Sequence, residues 1–147
     1  MIIKFKKATI EDISVLISIE ESVAGTKIYS PMLDEKKWAE EIEKNTVYLI
    51  LKDGVIVGNI SYEIKNSNHA YISGFAIDSR FQNQGIGKEV LTRLLEELKD
   101  NKRIDLVTHP DNEAALKLYK SFGFVVESKK ENYFGDGEPR LVLVLEK

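Results

Sequence analysis

The sequence predicts a mixed α/β (α+β) fold: one domain spanning residues 1–147, a mostly antiparallel sheet, and helices on both of its faces. Three observations predict it. Two β-rich runs, 46–51 and 55–64, flank Asp53-Gly54, a dipeptide that favours tight hairpins. A third run, 70–77, leads through Arg80-Phe81-Gln82-Asn83-Gln84-Gly85-Ile86-Gly87-Lys88 into a stretch where Ile86, Val90, Leu91, Leu94, Leu95 and Leu98 recur at helical spacing. An apolar run at 103–108 follows that helix, and a strand–helix–strand order implies that its two strands are parallel.

Residues 2–8 alternate apolar and basic side chains and lead to Thr9, a candidate N-cap with Asp12 three residues later. Ile13, Leu16 and Ile17 then form an apolar face that ends in Glu20 and Glu21, and Ala24-Gly25-Thr26 breaks the pattern. Asp34 starts a second helix, 34–44, with Trp38 and Ile42 at i, i+4. After the hairpin, Asn66-Ser67-Asn68 turns the chain into 69–78, completing a three-strand meander. His109-Pro110-Asp111-Asn112 is a break-and-cap cluster. Ala115, Leu118, Tyr119 and Phe122 then share one helical face, and Gly123 ends that helix. Runs 124–128 and 140–146 are the last strands, joined by a polar loop at 132–139.

The strand, glycine loop and helix have the form of a phosphate cradle. Glycines at 85 and 87 permit positive φ and let an anion approach the amides, and the helix's first-turn N–H groups point at that anion. A plain strand-to-helix turn would use the same two glycines. A Walker A loop requires glycine at 82 and serine or threonine at 89, where Gln82 and Glu89 stand; a dinucleotide fingerprint requires a third glycine at Val90.

Composition narrows the classes. A hydrophobic fraction of 43% and a charged fraction of 31% are those of a soluble domain. With no cysteine there is neither a disulfide nor a thiol nucleophile, and His69 and His109 are too few for a usual metal cluster, so no metal is expected. A net charge of −3 argues against nucleic acid and for a cationic partner. The chain has no membrane-length apolar run, and Met1-Ile2-Ile3-Lys4-Phe5-Lys6-Lys7 lacks a signal-like apolar core, so a cytoplasmic protein without membrane association is expected.

Gln82-x-x-Gly85-x-Gly87, followed by Asn112-x-x-Ala115-x-x-Leu118-Tyr119 with Gly123-Phe124 behind it, resembles the two ordered motifs of the GCN5-related N-acetyltransferases, and the resemblance covers essentially the whole chain. Glu131-Asn132-Tyr133-Phe134 followed by 141–145 looks most like the N-terminal α-amino acetyltransferases of the ribosomal-protein S18 alanine type. The resemblance implies a splayed parallel strand pair, 70–77 and 103–108, with acetyl-CoA in the opening. It implies that the backbone of Asn83, Gln84, Gly85, Ile86, Gly87 and Lys88 holds the diphosphate, and that Phe75, Ala76 and Ile77 run along the pantetheine arm and thioester. Asn112 resembles the asparagine that hydrogen-bonds the pantetheine, although a helix N-cap explains it equally. Tyr119 resembles the general acid, where an apolar helical stripe alone reads as core.

The implied reaction is attack of a primary amine on the acetyl thioester. With reference pKa values of about 10 for tyrosine and about 8.5 for a thiol, a hydrogen bond to the leaving sulfur is a larger part of Tyr119's role than full proton transfer. In the S18-type enzymes a glutamate stands five residues before the asparagine, and here that position is Val107. The remaining candidates for a base are Glu63, Tyr71, Ser73, His109, Glu131 and Tyr133. Neutralising an amine at pH 7 costs about 4.6 kcal/mol for lysine and about 1.1 kcal/mol for an α-amine, so a base-poor site favours α-amines. Glu20, Glu21 and Glu63 could attract a cationic acceptor, though each also reads as an ordinary solvated acid. The expected acceptor is a protein or peptide N-terminal amine. A small amine or polyamine, or a non-catalytic acyl-CoA-binding role, stands as the alternative. The acceptor segments, 22–33 and 131–139, carry no chemical signature, and the oligomeric state stays open, a homodimer included.

Overall fold

The structure, a computed structural model, describes residues 1–147. Eleven regular elements follow one another: β1 (Ile3–Lys7), α1 (Ile13–Ser22), α2 (Glu35–Lys44), β2 (Thr46–Lys52), β3 (Val55–Asn66), β4 (His69–Ile77), α3 (Ile86–Glu97), β5 (Arg103–Thr108), α4 (Glu113–Ser121), β6 (Val125–Lys130) and β7 (Arg140–Glu146). The strands form one seven-stranded sheet in the order β1-β2-β3-β4-β5-β7-β6, in which β4 and β5 are the single parallel pair. No helix is long and apolar enough to cross a membrane.

Local chemistry fixes the frame. Asp53 and Gly54 both take positive φ, 50° and 84°, which closes the β2–β3 hairpin as the mirror-image turn that matches strand twist. Asp53 also accepts a 2.8 Å hydrogen bond from the Ile2 amide through its side chain, which holds β1 beside the hairpin. Thr9 caps the short turn before α1 in a reciprocal box with Asp12, and Asp34 caps α2 by accepting from the Lys36 and Lys37 amides.

Each face of the sheet carries its own core. Val90, Leu91, Leu94 and Leu98 from α3 and its end, with Tyr119 of α4, pack on Ile60, Ile72, Ile104, Leu106 and Leu143. On the opposite face, Leu16 and Ile19 of α1 and Trp38 of α2 pack on Val47, Leu49 and Ala76. Trp38, 2% exposed, donates its indole N–H to the Met32 carbonyl at 2.8 Å and so ties the α1–α2 segment to the second core.

Two features of the sheet create an opening. Strands β4 and β5 pair only where His69, Ala70 and Tyr71 meet Arg103, Ile104 and Asp105. That short zip is held by His69 Nε2 to Asp105 at 2.8 Å and by Arg103, which reaches Asp105 at 3.3 Å and Glu127 at 2.8 Å. Beyond it β5 continues along β7 and β4 along β3, so the facing edges part. A bulge then bends β4: Tyr62 pairs with Ile72 and Ser61 with Gly74, leaving Ser73 unpaired in the ladder.

Candidate active site

Between the parted ends of β4 and β5 lies a cleft of about 620 Å³, walled by α3 and α4 on one side and by α1, α2 and their connecting segment on the other. Its floor at one end is the glycine loop. Asn83 (φ 62°) and Gly85 (φ 78°) both adopt the left-handed conformation, and Gly85 is the N-cap of α3 without any side-chain cap, so the first amides of that helix are left for a ligand. A Cβ at Gly87 would stand 3.2 Å from Leu118 and 3.9 Å from Phe75, which shows how closely α4 and β4 approach the loop. Gln82 closes the turn by donating to the Ile77 carbonyl at 3.1 Å, and Asp78 holds Arg80 through its amide at 2.9 Å and its guanidinium at 3.1 Å. These Arg80 contacts hold the Asp78 carboxyl below its ordinary range.

Nine of the eleven residues singled out in the sequence line this one cleft: Phe75, Ala76, Ile77, Asn83, Gly85, Ile86, Gly87, Asn112 and Tyr119. Gln84 and Lys88 do not line it; Gln84 accepts a 2.6 Å hydrogen bond from Lys52. The Asn112 side chain accepts from the Ala115 amide at 3.2 Å and so caps α4, while its amide nitrogen makes no such bond. Tyr119 is 7% exposed. Burial, then Tyr29, push its pKa upward, and no hydrogen bond to another side chain counters them. The hydroxyl therefore stays protonated and available as a donor within the cleft.

The base candidates scatter. Val107 lines the cleft, paired with Val142, and offers no proton acceptor. His109 also lines it and is 2% exposed, but Nδ1 accepts the Asp111 amide at 2.9 Å and Nε2 lies 2.8 Å from Glu138, so both nitrogens are occupied. Tyr71 and Ser73 face the cleft. Burial pushes the Tyr71 phenol upward, with Tyr133 adding to it, and the Ser73 hydroxyl donates to Glu41 at 3.0 Å. Glu63, Glu131 and Tyr133 lie outside the lining: Glu63 pairs with Lys65, Glu131 with Lys129 at 3.7 Å, and Tyr133 sits edge-on to Phe134.

Two further polar groups stand in the lining of the cleft. Glu20, expected to be a solvated acid, is half-buried in the wall, and burial lifts its pKa from 4.5 to about 7, partly offset by the Met32 amide. A signal was present, since Glu20 follows Leu16 by four residues and extends the buried stripe of α1. Arg140, 2% exposed, lies over the Phe134 ring and donates to Asp136 at 2.9 Å and to the Pro139 carbonyl at 3.1 Å. Position alone in a terminal strand carried no sign of that burial.

Comparison with known proteins places the geometry among relatives. The model of the family described as the Acetyltransferase (GNAT) family matches residues 13–124. Over 88 residues, 55% of this chain and 54% of the relative, the sequence is 31% identical to the L-amino acid N-acetyltransferase AaaT of Escherichia coli (strain K12). The chain thus spans about half the length of that curated relative. Among solved structures, the ribosomal-protein-S18-alanine N-acetyltransferase from Escherichia coli superposes with a TM-score of 0.83 at 22% identity, covering 99% of this chain and 94% of that one. The paia N-acetyltransferase from Thermoplasma acidophilum, solved in complex with coenzyme A, gives 0.79 at 23% identity with full coverage of both chains.

Proposed function

This chain belongs to the GNAT acetyltransferase family, and from that premise we propose that it transfers an acetyl group from acetyl-CoA to a primary amine, first among them the N-terminal α-amine of a peptide or protein. The observation that carries the proposal is one continuous cleft that joins the uncapped N-terminus of α3 to the protonated hydroxyl of Tyr119.

The residues present suit such a donor. Amides of the loop at 83–88 and the positive end of the α3 dipole offer an anion site for the diphosphate. The edge of β4 beyond Tyr71 has no ladder partner on its β5 side, which leaves backbone groups of 75–77 for an extended amide-bearing arm, with the free nitrogen of the Asn112 side chain opposite. The thioester supplies an activated acyl carbon. Tyr119 donates a hydrogen bond to the sulfur as it departs, and the apolar lining from Phe75, Leu106 and Leu118 keeps water from the acyl group.

Support for an α-amine acceptor comes from the lack of a carboxylate at Val107 and from the likeness to the S18-alanine enzyme. Glu20, Asp34 and Glu41 on the α1–α2 wall also suit an acceptor with more than one ammonium group, which keeps a polyamine as the second reading. An acetyl-transfer assay over peptide N-termini, lysine peptides, polyamines and amino acids, read by mass, separates these. Acetylation of peptide N-termini above the other arms is the expected result. Acetyl-CoA binding with no product on any amine would replace an enzyme by a binding module.

A further inference from the structure

Three carboxylates line the cleft, and two of them are engaged. Asp34 accepts the Lys36 and Lys37 amides at 2.8 and 3.2 Å, and Glu41 accepts the Ser73 hydroxyl at 3.0 Å. Glu20, in the last turn of α1, is the third. Burial raises its pKa, the Met32 amide lowers it in part, and no cation pairs with it. The charged and titratable groups that share the cleft from the neighbouring elements are Asp34, Lys37 and Glu41 at α2, Tyr29 in the connecting segment, Tyr71 on β4, His109 after β5, Tyr119 on α4 and Arg140 on β7. His109 is taken up by Glu138 and the Asp111 amide, and Arg140 by Asp136 and the Pro139 carbonyl.

A half-buried carboxylate with no cation beside it is unfavourable where it stands, and the Met32 amide relieves it only in part. It faces a cleft in which an ammonium must lose a proton and in which Val107 supplies no acceptor. We propose that Glu20 is the catalytic base that takes a proton from the acceptor's ammonium, an assignment that rests on the acetyl-transfer reading above.

The step balances. One of the three ammonium protons passes to Glu20 and leaves to water when product departs. The freed nitrogen lone pair forms the C–N bond to the acetyl carbon as the C–S bond breaks. A second proton leaves the nitrogen as the tetrahedral adduct collapses and ends on the departing sulfur, which Tyr119 stabilises by a hydrogen bond while keeping its own proton, and the third remains on the amide. Burial brings the affinity of this carboxyl for the proton to within about one pK unit of a free α-amine, near 7.8. A solvent-exposed glutamate, near 4.3, would hold that proton far more weakly.

The test is the pH dependence of kcat between pH 5.5 and 9 for the full chain, for Glu20→Gln and for Glu20→Asp, with the panel amine that turns over fastest and with the acetyl-CoA dissociation constant measured by calorimetry. Expected are a limb rising with pH through about 7 in the parent, a loss of about a hundredfold at pH 7 and disappearance of that limb in Glu20→Gln, partial rescue by Glu20→Asp, and an unchanged acetyl-CoA affinity in both. A Glu20→Gln variant that keeps the limb, or keeps kcat within about threefold, overturns the assignment alone, because proton acceptance is the term removed. A parent chain that does not bind acetyl-CoA overturns the acetyl-transfer reading, and the role of Glu20 with it.

Discussion

Tyr119 and Glu20 owe their proposed chemistry to the same cause, burial in the wall of a cleft, acting on groups of opposite use. Desolvation raises both pKa values, which keeps the phenol a donor and brings the carboxyl into the range of a working base. Replacing Tyr119 by Phe removes only the donor. It should lower kcat by about a hundredfold while leaving acetyl-CoA affinity within about twofold, measured by steady-state kinetics and calorimetry. Glu20 also makes a stability prediction. Its folded pKa lies above its unfolded one, so the folded state holds the extra proton: the carboxyl costs nothing below pH 4.5, the cost grows as pH rises to about 7, and it is constant above. Glu20→Gln should therefore raise unfolding free energy by about 1–3 kcal/mol at pH 8 and leave it nearly unchanged at pH 4, read by urea melts. The sequence alone hid Glu20 because an acid after an apolar helical face ordinarily lies in water. His109 misled in the other direction, its reference pKa suggesting a base where Glu138, 29 residues on, occupies it.

At the scale of elements, the glycine loop and the α1–α2 segment set the two ends of the cleft. A Cβ at Gly85 would meet nothing within 4 Å, so Gly85→Ala is a pure test of its 78° φ. It should cost about 1–2 kcal/mol of stability, and a loop that relaxes to relieve the strain loses about tenfold in acetyl-CoA affinity. Trp38 anchors the other end. Trp38→Ala removes a 2%-exposed side chain and the indole bond to Met32, and should lower stability by about 3–5 kcal/mol in the same melts. Local signals foretold most elements: the Asp53-Gly54 turn, the caps at Thr9 and Asn112, a helix starting at Asp34, which proves to be its N-cap, and the α3 stripe all formed where their chemistry required. The bulge at Ser73 and the insertion of β7 between β5 and β6 did not show, since each is decided by pairing between distant segments, which no local pattern encodes.

Across the whole molecule, the sheet separates the two halves of the proposed reaction. Its α3–α4 face and glycine loop present the proposed anion site for the donor and Tyr119, and its α1–α2 face presents Glu20, Asp34 and Glu41. The opening between them exists because β4 and β5 pair over only three residues before each follows another partner. That splay came from the family resemblance and not from residue patterns, which called for a parallel pair but were silent on where it ends. The central claim is that this cleft holds an acyl-CoA at the N-terminus of α3 and passes its acetyl group to an amine. Calorimetric titration of the full chain with acetyl-CoA, coupled to mass detection of product on peptide N-termini, tests it most directly. One-site binding that weakens in Gly85→Ala and an acetylated peptide from the parent chain are the results predicted; heat no greater than that of dilution would contradict it.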